Sequence, residues 1–232
     1  MQETKYLNVA KPQNGRRFVI SDVHGCSKTF KALLKQIELK KEDQLFLLGD
    51  MVNRGPNSHK VLNRILKLKE KGFQLFYIRG NHEQLVLNTL KKTPGQRKRS
   101  LNAGKSQNLL VNGELKESYI KLIEESLHYI DTKDYYLVHA GFNFKLDDPF
   151  KHSYSMLNIR YFKPKKKLIG KRKIVIGHQP KSLFQITKRI KKNKRKIYID
   201  NGCVNNDIEG LGNLICLNLD TLEINIQQNL DK

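Results

Sequence analysis

Five short apolar runs, each followed at once by a polar residue able to ligate a metal, constrain this chain more than any other feature. The runs are Phe18-Val19-Ile20, Leu45 to Leu48, Leu75 to Ile78, Tyr136-Leu137-Val138 and Ile174-Val175-Ile176. Their length and their β-branched and aromatic content read as buried strands. Ile20 leads into Ser21-Asp22-Val23-His24-Gly25, Leu48 into Gly49-Asp50, Ile78 into Arg79-Gly80-Asn81-His82-Glu83, Val138 into His139-Ala140-Gly141, and Ile176 into Gly177-His178. Ligands of open α/β sheets gather beyond the carboxyl ends of strands, so these five turns are expected to converge on one crevice.

Helical periodicity separates the first runs. Lys28 to Leu39 places Phe30, Leu33, Leu34 and Ile37 on one face, and Val61 to Lys71 does the same with Val61, Leu62, Ile65, Leu66 and Leu68. Strand, helix, strand at this spacing implies right-handed βαβ units and an α/β fold. Gln84 to Tyr129 reads as helices joined by mobile loops, because Pro94-Gly95, the cluster Arg97 to Arg99, Gly104 and Gly113 interrupt the pattern. After Lys196, Ile197-Tyr198-Ile199, Leu214 to Leu219 and Leu222 to Ile226 read together as a hairpin-like second sheet, with Asp220-Thr221 between the last two. The 232 residues suit one domain spanning 1–232 with a helical insert at about 84–130.

Asp22 and His24 stand two apart after a strand, a spacing that points both side chains one way and lets both reach one ion. Asp50, on the neighbouring strand, has two oxygens and can bridge that ion to a second one held by Asn81, His139 and His178. Carboxylate with imidazole suits Mn²⁺, Fe or Zn²⁺. Two ions about 3.5–4 Å apart acidify a shared water, and the resulting hydroxide is placed for in-line attack on phosphorus. His59, His128 and His152 belong to no such pattern and read as ordinary hydrogen-bonded histidines.

The ordered set Ser21-Asp22-Val23-His24-Gly25, Gly49-Asp50-Met51-Val52-Asn53-Arg54-Gly55, Gly80-Asn81-His82-Glu83, His139-Ala140-Gly141 and Gly177-His178 resembles the phosphoprotein phosphatase family of binuclear metallophosphoesterases. It covers residues from about 17 to 205, and Asp200-Asn201-Gly202-Cys203 looks like the family's bacterial branch. The resemblance implies a four-layer α/β/β/α sandwich, two divalent metal ions with Mn²⁺ first, and hydrolysis of phosphoserine, phosphothreonine or, in one bacterial branch, dinucleoside polyphosphates. It also implies His82 as the general acid, Arg54 as a phosphate grip, and a second phosphate-binding arginine for which Arg160 is the candidate. A guanidinium fork matches phosphoryl geometry.

Two positions depart from the family pattern. Ser21 replaces a glycine, a small change. Asn53 replaces the aspartate that pairs with the catalytic histidine in the protein phosphatases; an amide orients an imidazole but does not stabilise its cation. The dinucleoside tetraphosphatase branch also lacks that aspartate. Against it, Leu146-Asp147-Asp148-Pro149-Phe150, the short length and the tail look more like bacterial protein phosphatases. The expectation is therefore a serine/threonine protein phosphatase, ahead of a diadenosine tetraphosphatase-like hydrolase and a degenerate phosphate-binding module.

The formal charge of +22 bears on partners. It invites a nucleic-acid reading, with a nuclease as a further candidate. The excess is mostly lysine, however, and the tracts Lys91 to Arg99, Lys163 to Lys173 and Lys188 to Lys196 contain few aromatic residues for base stacking, so a solvated basic face is expected instead. No run approaches the roughly 20 apolar residues of a membrane span. Met1 to Asn14 has no apolar signal core, and Cys26, Cys203 and Cys216 have no disulfide or zinc spacing. A cytoplasmic protein with reduced thiols and a phosphoprotein or phosphorylated small-molecule substrate is the expectation.

Overall fold

The computed structural model describes residues 3–231. Its strands are β1 (Tyr6–Val9), β2 (Arg17–Ile20), β3 (Gln44–Leu47), β4 (Gln74–Tyr77), β5 (Leu110–Val111), β6 (Glu114–Leu115), β7 (Tyr129–Thr132), β8 (Tyr135–Val138), β9 (Lys173–Ile176), β10 (Lys196–Tyr198), β11 (Asn213–Asn218) and β12 (Ile224–Gln228). Its α-helices are α1 (Ser27–Gln36), α2 (Ser58–Glu70), α3 (Asn81–Asn88), α4 (Pro94–Ala103), α5 (Glu117–Glu124), α6 (Ser153–Asn158), α7 (Lys166–Ile169) and α8 (Leu183–Lys191).

Two five-stranded sheets, ordered β1-β7-β8-β9-β10 and β12-β11-β2-β3-β4, pack face to face. The side-chain alternation of a strand explains why the predicted runs are apolar throughout. Val19, Phe46, Leu137 and Val175 point into the layer between the sheets. Phe18, Ile20, Leu45 and Leu47 point the other way, onto Phe30 and Leu33 of α1 and Leu62 and Ile65 of α2. Tyr136, Val138, Ile174 and Ile176 meet Phe142, Met156 and Ile169 on the far side. Each fully buried Leu, Ile or Phe contributes about 1.5–3 kcal/mol, so both faces of every central strand are committed to packing. The result is the expected sandwich of two sheets flanked by helices.

β2, β3 and β4 run parallel, with α1 and α2 as the crossovers. Helix α1 ends where Glu38 turns left-handed, φ 46°. The grouping expected after Lys196 is corrected: β10 pairs in parallel with β9, whereas the β11–β12 hairpin joins the other sheet through antiparallel pairing of β11 with β2. The apolar run of β10 fills the interlayer through Ile197, and the fourteen residues 199–212 let the chain cross between sheets. Residues 84–130 contain α4, α5 and the β5–β6 hairpin. The expected loose connection after α4 is instead tied down, as described below. All three cysteines are free and buried. Among the described residues no helix is long and apolar enough to cross a membrane.

Arg17 opens β2 in a buried position, and its guanidinium donates to Asp220 of the β11–β12 turn at 2.8 and 3.1 Å. Burial pushes the Asp220 carboxyl up, but Arg17 and Lys11 outweigh it and leave the pKa below its ordinary value. A depressed carboxylate contributes stability above its unfolded pKa and loses it as pH falls through the folded one. Asp220→Asn is expected to cost roughly 1–2 kcal/mol at pH 7, below the range for a fully buried pair because Asp134 still stands 3.5 Å from Arg17 and the Asp220 side chain keeps 19% exposure. Urea melts of both proteins should converge as pH falls below about 4.

Candidate metal centre

The turns after β2 and β3 are laced together: Asp22 N–H donates to the Gly49 carbonyl at 3.1 Å, His24 N–H to that of Asp50 at 2.8 Å, and Gly25 N–H to that of Met51 at 2.9 Å. Asp22, His24, Asp50, Asn53, Arg54 and His178 all have φ between 47° and 67°. Such left-handed backbone costs a non-glycine residue of order 1 kcal/mol or more and concentrates at functional sites. It also corrects the route to the Asp22-x-His24 pair, which is placed by left-handed turns rather than by strand alternation. Close approach requires two glycines. A Cβ on Gly80 would collide with the Asp50 carboxylate, and one on Gly177 with the Ser21 hydroxyl and the Asp22 carboxylate.

Asp50 is central. Its Oδ2 lies 3.5 Å from His139 Nε2, 3.7 Å from His24 Nε2 and 4.0 Å from His82 Nε2, while Oδ1 accepts the His82 N–H at 2.9 Å. His139 Nδ1 sits 2.8 Å from the Leu48 carbonyl, which only accepts, so Nδ1 carries the proton and Nε2 presents a lone pair. That lone pair faces Asn81 Oδ1 at 3.0 Å and His178 Nδ1 at 3.1 Å, with 3.0 Å between the latter two. His24 Nδ1 similarly meets the Val52 carbonyl at 3.0 Å, freeing Nε2 towards Asp50. Two acceptors, His139 Nε2 and Asn81 Oδ1, thus face each other beside the His178 ring, an arrangement that a cation resolves. Two groups, His24 with Asp50 and His82, and Asp50 with His139 and His178, each have ligand atoms within 4.8 Å of one another and share Asp50. The donor set fits two divalent cations. Asp22 belongs to neither group; its carboxylate accepts the His178 N–H at 3.0 Å and the Ser21 hydroxyl, on the wall of the same crevice.

Electrostatics point the same way. Burial, then the charges of Asp200 and Asp50, hold the Asp22 carboxyl well above the ordinary carboxylate range; burial and Glu83 do so for Asp50. Burial pushes His24 and His139 well below the ordinary imidazole range, keeping both neutral as ligation requires. Burial and the Arg54 charge push His82 down to about 4.

Asn53 Nδ2 meets His82 Nδ1 at 3.0 Å, as the sequence pairing implies. The Asn53 loop is braced by the segment after α4: Arg54 N–H donates to the Gly104 carbonyl at 2.8 Å, and Asn53 N–H to the buried Ser106 hydroxyl at 3.0 Å. Arg54 and Arg160 are exposed and line the crevice, and among the described residues neither guanidinium makes a salt bridge.

Three contributors had no assigned role in the sequence. Glu83 is fully buried, and its carboxylate accepts N–H bonds from Asp50 at 2.7 Å, Gly80 at 2.8 Å, Met51 at 2.8 Å and Val52 at 3.3 Å. Its position three residues after a helix N-cap was the available signal. Buried Arg79 binds the Ile123 and Glu124 carbonyls at 3.0 Å and Ser126, fixing the end of β4 to the end of α5. Asp200 follows β10 as Asp22 follows β2; burial pushes its pKa up to about 6, and it lines the crevice.

A family model described as calcineurin-like phosphoesterase matches residues 15–206. The chain belongs to that family. It is 35% identical over 126 residues to the symmetrical bis(5'-nucleosyl)-tetraphosphatase of Wigglesworthia glossinidia brevipalpis, covering 53% of this chain and 44% of that one. It is 28% identical over 217 residues to the asymmetrical bis(5'-nucleosyl)-tetraphosphatase PrpE of Bacillus velezensis, covering 80% and 84%. The chain spans about half the length of the symmetrical relatives, 44% and 49% for two of them. A solved structure assigned provisionally as a diadenosine tetraphosphatase superposes with TM-score 0.73 at 17% identity, over 99% of this chain and 100% of that one. A serine/threonine phosphatase of Saccharomyces cerevisiae gives 0.63 at 15%, over 99% and 84%, so the fold alone is shared with both. The expectation of a serine/threonine protein phosphatase is overturned, because the matched relatives are named as nucleoside tetraphosphatases. The physical basis lies at Asn53, which sets an amide and not a carboxylate against His82 Nδ1; among the described residues the Leu146 to Phe150 loop makes no such contact with the crevice histidines.

Proposed function

We propose that this metallophosphoesterase hydrolyses phosphoanhydride bonds of dinucleoside polyphosphates. Asp22, His24, Asp50, Asn81, His139 and His178 are the proposed metal ligands, with Mn²⁺ the first ion to supply. Divalent ions held there would supply a nucleophilic hydroxide and neutralise developing charge on phosphoryl oxygens. Arg54 and Arg160, at the crevice rim, grip the phosphates that flank the scissile bond. His82 reaches the leaving oxygen through Nε2, since Asn53 occupies Nδ1.

The observation that carries this reading is the neutral Asn53–His82 pair. Whichever way the amide is turned, it brings no negative charge to steady a protonated imidazole. His82 is then a hydrogen-bond donor more than a strong acid. An anhydride departs as a phosphate oxygen of low pKa and needs little protonation, whereas a serine or threonine alkoxide needs a full proton. The names of the relatives support the same substrate class.

Initial rates with Mn²⁺ on diadenosine tetraphosphate and on a phosphothreonine peptide test it. The dinucleotide is expected to be the better substrate, and faster turnover of the peptide would overturn the reading. Asn53→Asp should raise the peptide rate about tenfold, part of the 10²–10⁴ that general acid catalysis supplies, while changing the dinucleotide rate by less than about threefold.

A further inference from the structure

We infer that the face formed by α8, β10 and the segment around Tyr161 binds single-stranded nucleic acid alongside the metal crevice. The inference stands independently of the dinucleotide reading. Two of the basic tracts, distant in sequence, are joined in space: Arg195 Nη1 donates to the Gly170 carbonyl at 2.7 Å, and Lys196 Nζ to that of Phe162 at 3.2 Å. The groove beside them holds about 420 Å³ and is lined by Lys181, Lys188, Arg189, Lys192 and Lys194 with Gln185 and Tyr198. No carboxylate lines it, and among the described residues none of its five cations makes a salt bridge. Lys181, Arg189 and Lys196 crowd the Tyr198 ring at 5.3, 5.1 and 5.1 Å from its centroid. Like charges held this close repel one another, and a chain of phosphates relieves that repulsion.

Aromatic residues distinguish this face from a bare anion patch. Aromatic residues are few inside the basic tracts; folding supplies them from outside. Phe184 of α8 is 70% exposed with Lys188 Nζ 5.2 Å from its ring centroid, and Tyr161 is 87% exposed, next to Phe162, whose ring carries Lys196 at 4.4 Å. Exposed rings interleaved with cations suit unpaired bases, which stack without regard to sequence. The groove also adjoins the crevice. Pro180 lines the crevice and Lys181 the groove, Lys181 N–H donates to the Asp200 carbonyl at 2.9 Å, and Tyr161 follows crevice-lining Arg160. A strand lying here directs one end at the metal centre.

The test is fluorescence anisotropy of the Mn²⁺-loaded protein with a labelled 20-nucleotide oligothymidine bearing hydroxyl ends, titrated from 50 to 200 mM salt. Saturable binding is expected, with a log–log salt slope of about −2 to −3, each phosphate contact adding about −0.7. Lys188→Glu with Lys192→Glu and Lys194→Glu should weaken binding at least tenfold and make the slope shallower by about 2, with melting temperature and bound Mn²⁺ unchanged. Tyr161→Ala with Phe184→Ala should weaken it at least fivefold and leave the slope alone. Absence of saturable binding, or parental affinity in the charge-reversed protein, overturns the inference. So does a null effect of the aromatic pair together with equal competition by inorganic polyphosphate, which would define a patch for any polyanion.

Discussion

Asp50→Asn is expected to lower kcat/KM on diadenosine tetraphosphate by about 10³-fold or more and to abolish retention of Mn²⁺ through dialysis. The substitution preserves shape: an amide oxygen still accepts the His82 N–H that Oδ1 now receives at 2.9 Å. What disappears is the negative charge common to both ligand groups. Several kcal/mol of charge stabilisation in a two-ion site pass through that carboxylate, and each 1.36 kcal/mol is a factor of ten in rate. Thermal melts separate this from general damage. In metal-free protein, burial and the Glu83 charge disfavour the ionised Asp50 carboxyl, so the Asn variant should melt no lower than the parent. Mn²⁺ at a hundred times its Kd should then stabilise the parent by about 2.7 kcal/mol and the variant hardly at all. Turnover near the parental rate with an undiminished Mn²⁺ shift would remove Asp50 from the centre.

Residues that answer to a strand end were legible in the sequence, and those that answer to the backbone were not. Asp22, Asp50, Asn81, His139 and His178 follow buried apolar runs, and solvent exclusion makes such runs conspicuous; the crevice they line, or converge beside, follows from two facing sheets. Asp200 obeys the same rule after β10, but the sequence does not mark it, because Ile197-Tyr198-Ile199 reads with the strands that follow it and pairs instead with β9. Pairing partners are set by tertiary packing, and a three-residue run carries no label for which edge it joins. Ser106 escaped for another reason. Its hydroxyl serves a main-chain N–H 53 positions away, and no side-chain pattern records a backbone partner. Phe184, Tyr161 and Tyr198 lie outside the basic tracts in sequence, so their place beside Lys188 and Lys196 is set by folding and not by any local pattern.

Glu83 is the sharpest case, and Glu83→Gln is expected to be nearly as damaging as Glu83→Ala. The buried carboxylate collects four main-chain N–H groups, from Asp50 and Gly80 on Oε2 and from Met51 and Val52 on Oε1. Burial raises its pKa while those bonds oppose the rise. An amide keeps one acceptor oxygen and turns an NH₂ group against the other pair of N–H groups, so two donors lose their partner and face a donor instead. Leaving buried donors unsatisfied costs about 1–3 kcal/mol each, which places Glu83→Gln at roughly 3–5 kcal/mol and a melting temperature lowered by about 10 °C or more. Activity should fall further than stability alone requires, because these bonds fix the Gly49–Asn53 loop that presents Asp50. A displacement of the carboxylate shared by the two ligand groups by about 1 Å can cost 10²-fold. Rates measured well below the variant's melting temperature isolate that effect: kcat down by about 10² with the protein still folded supports a positioning role for Glu83. Parental kcat in a merely less stable protein would reduce the residue to a structural clamp.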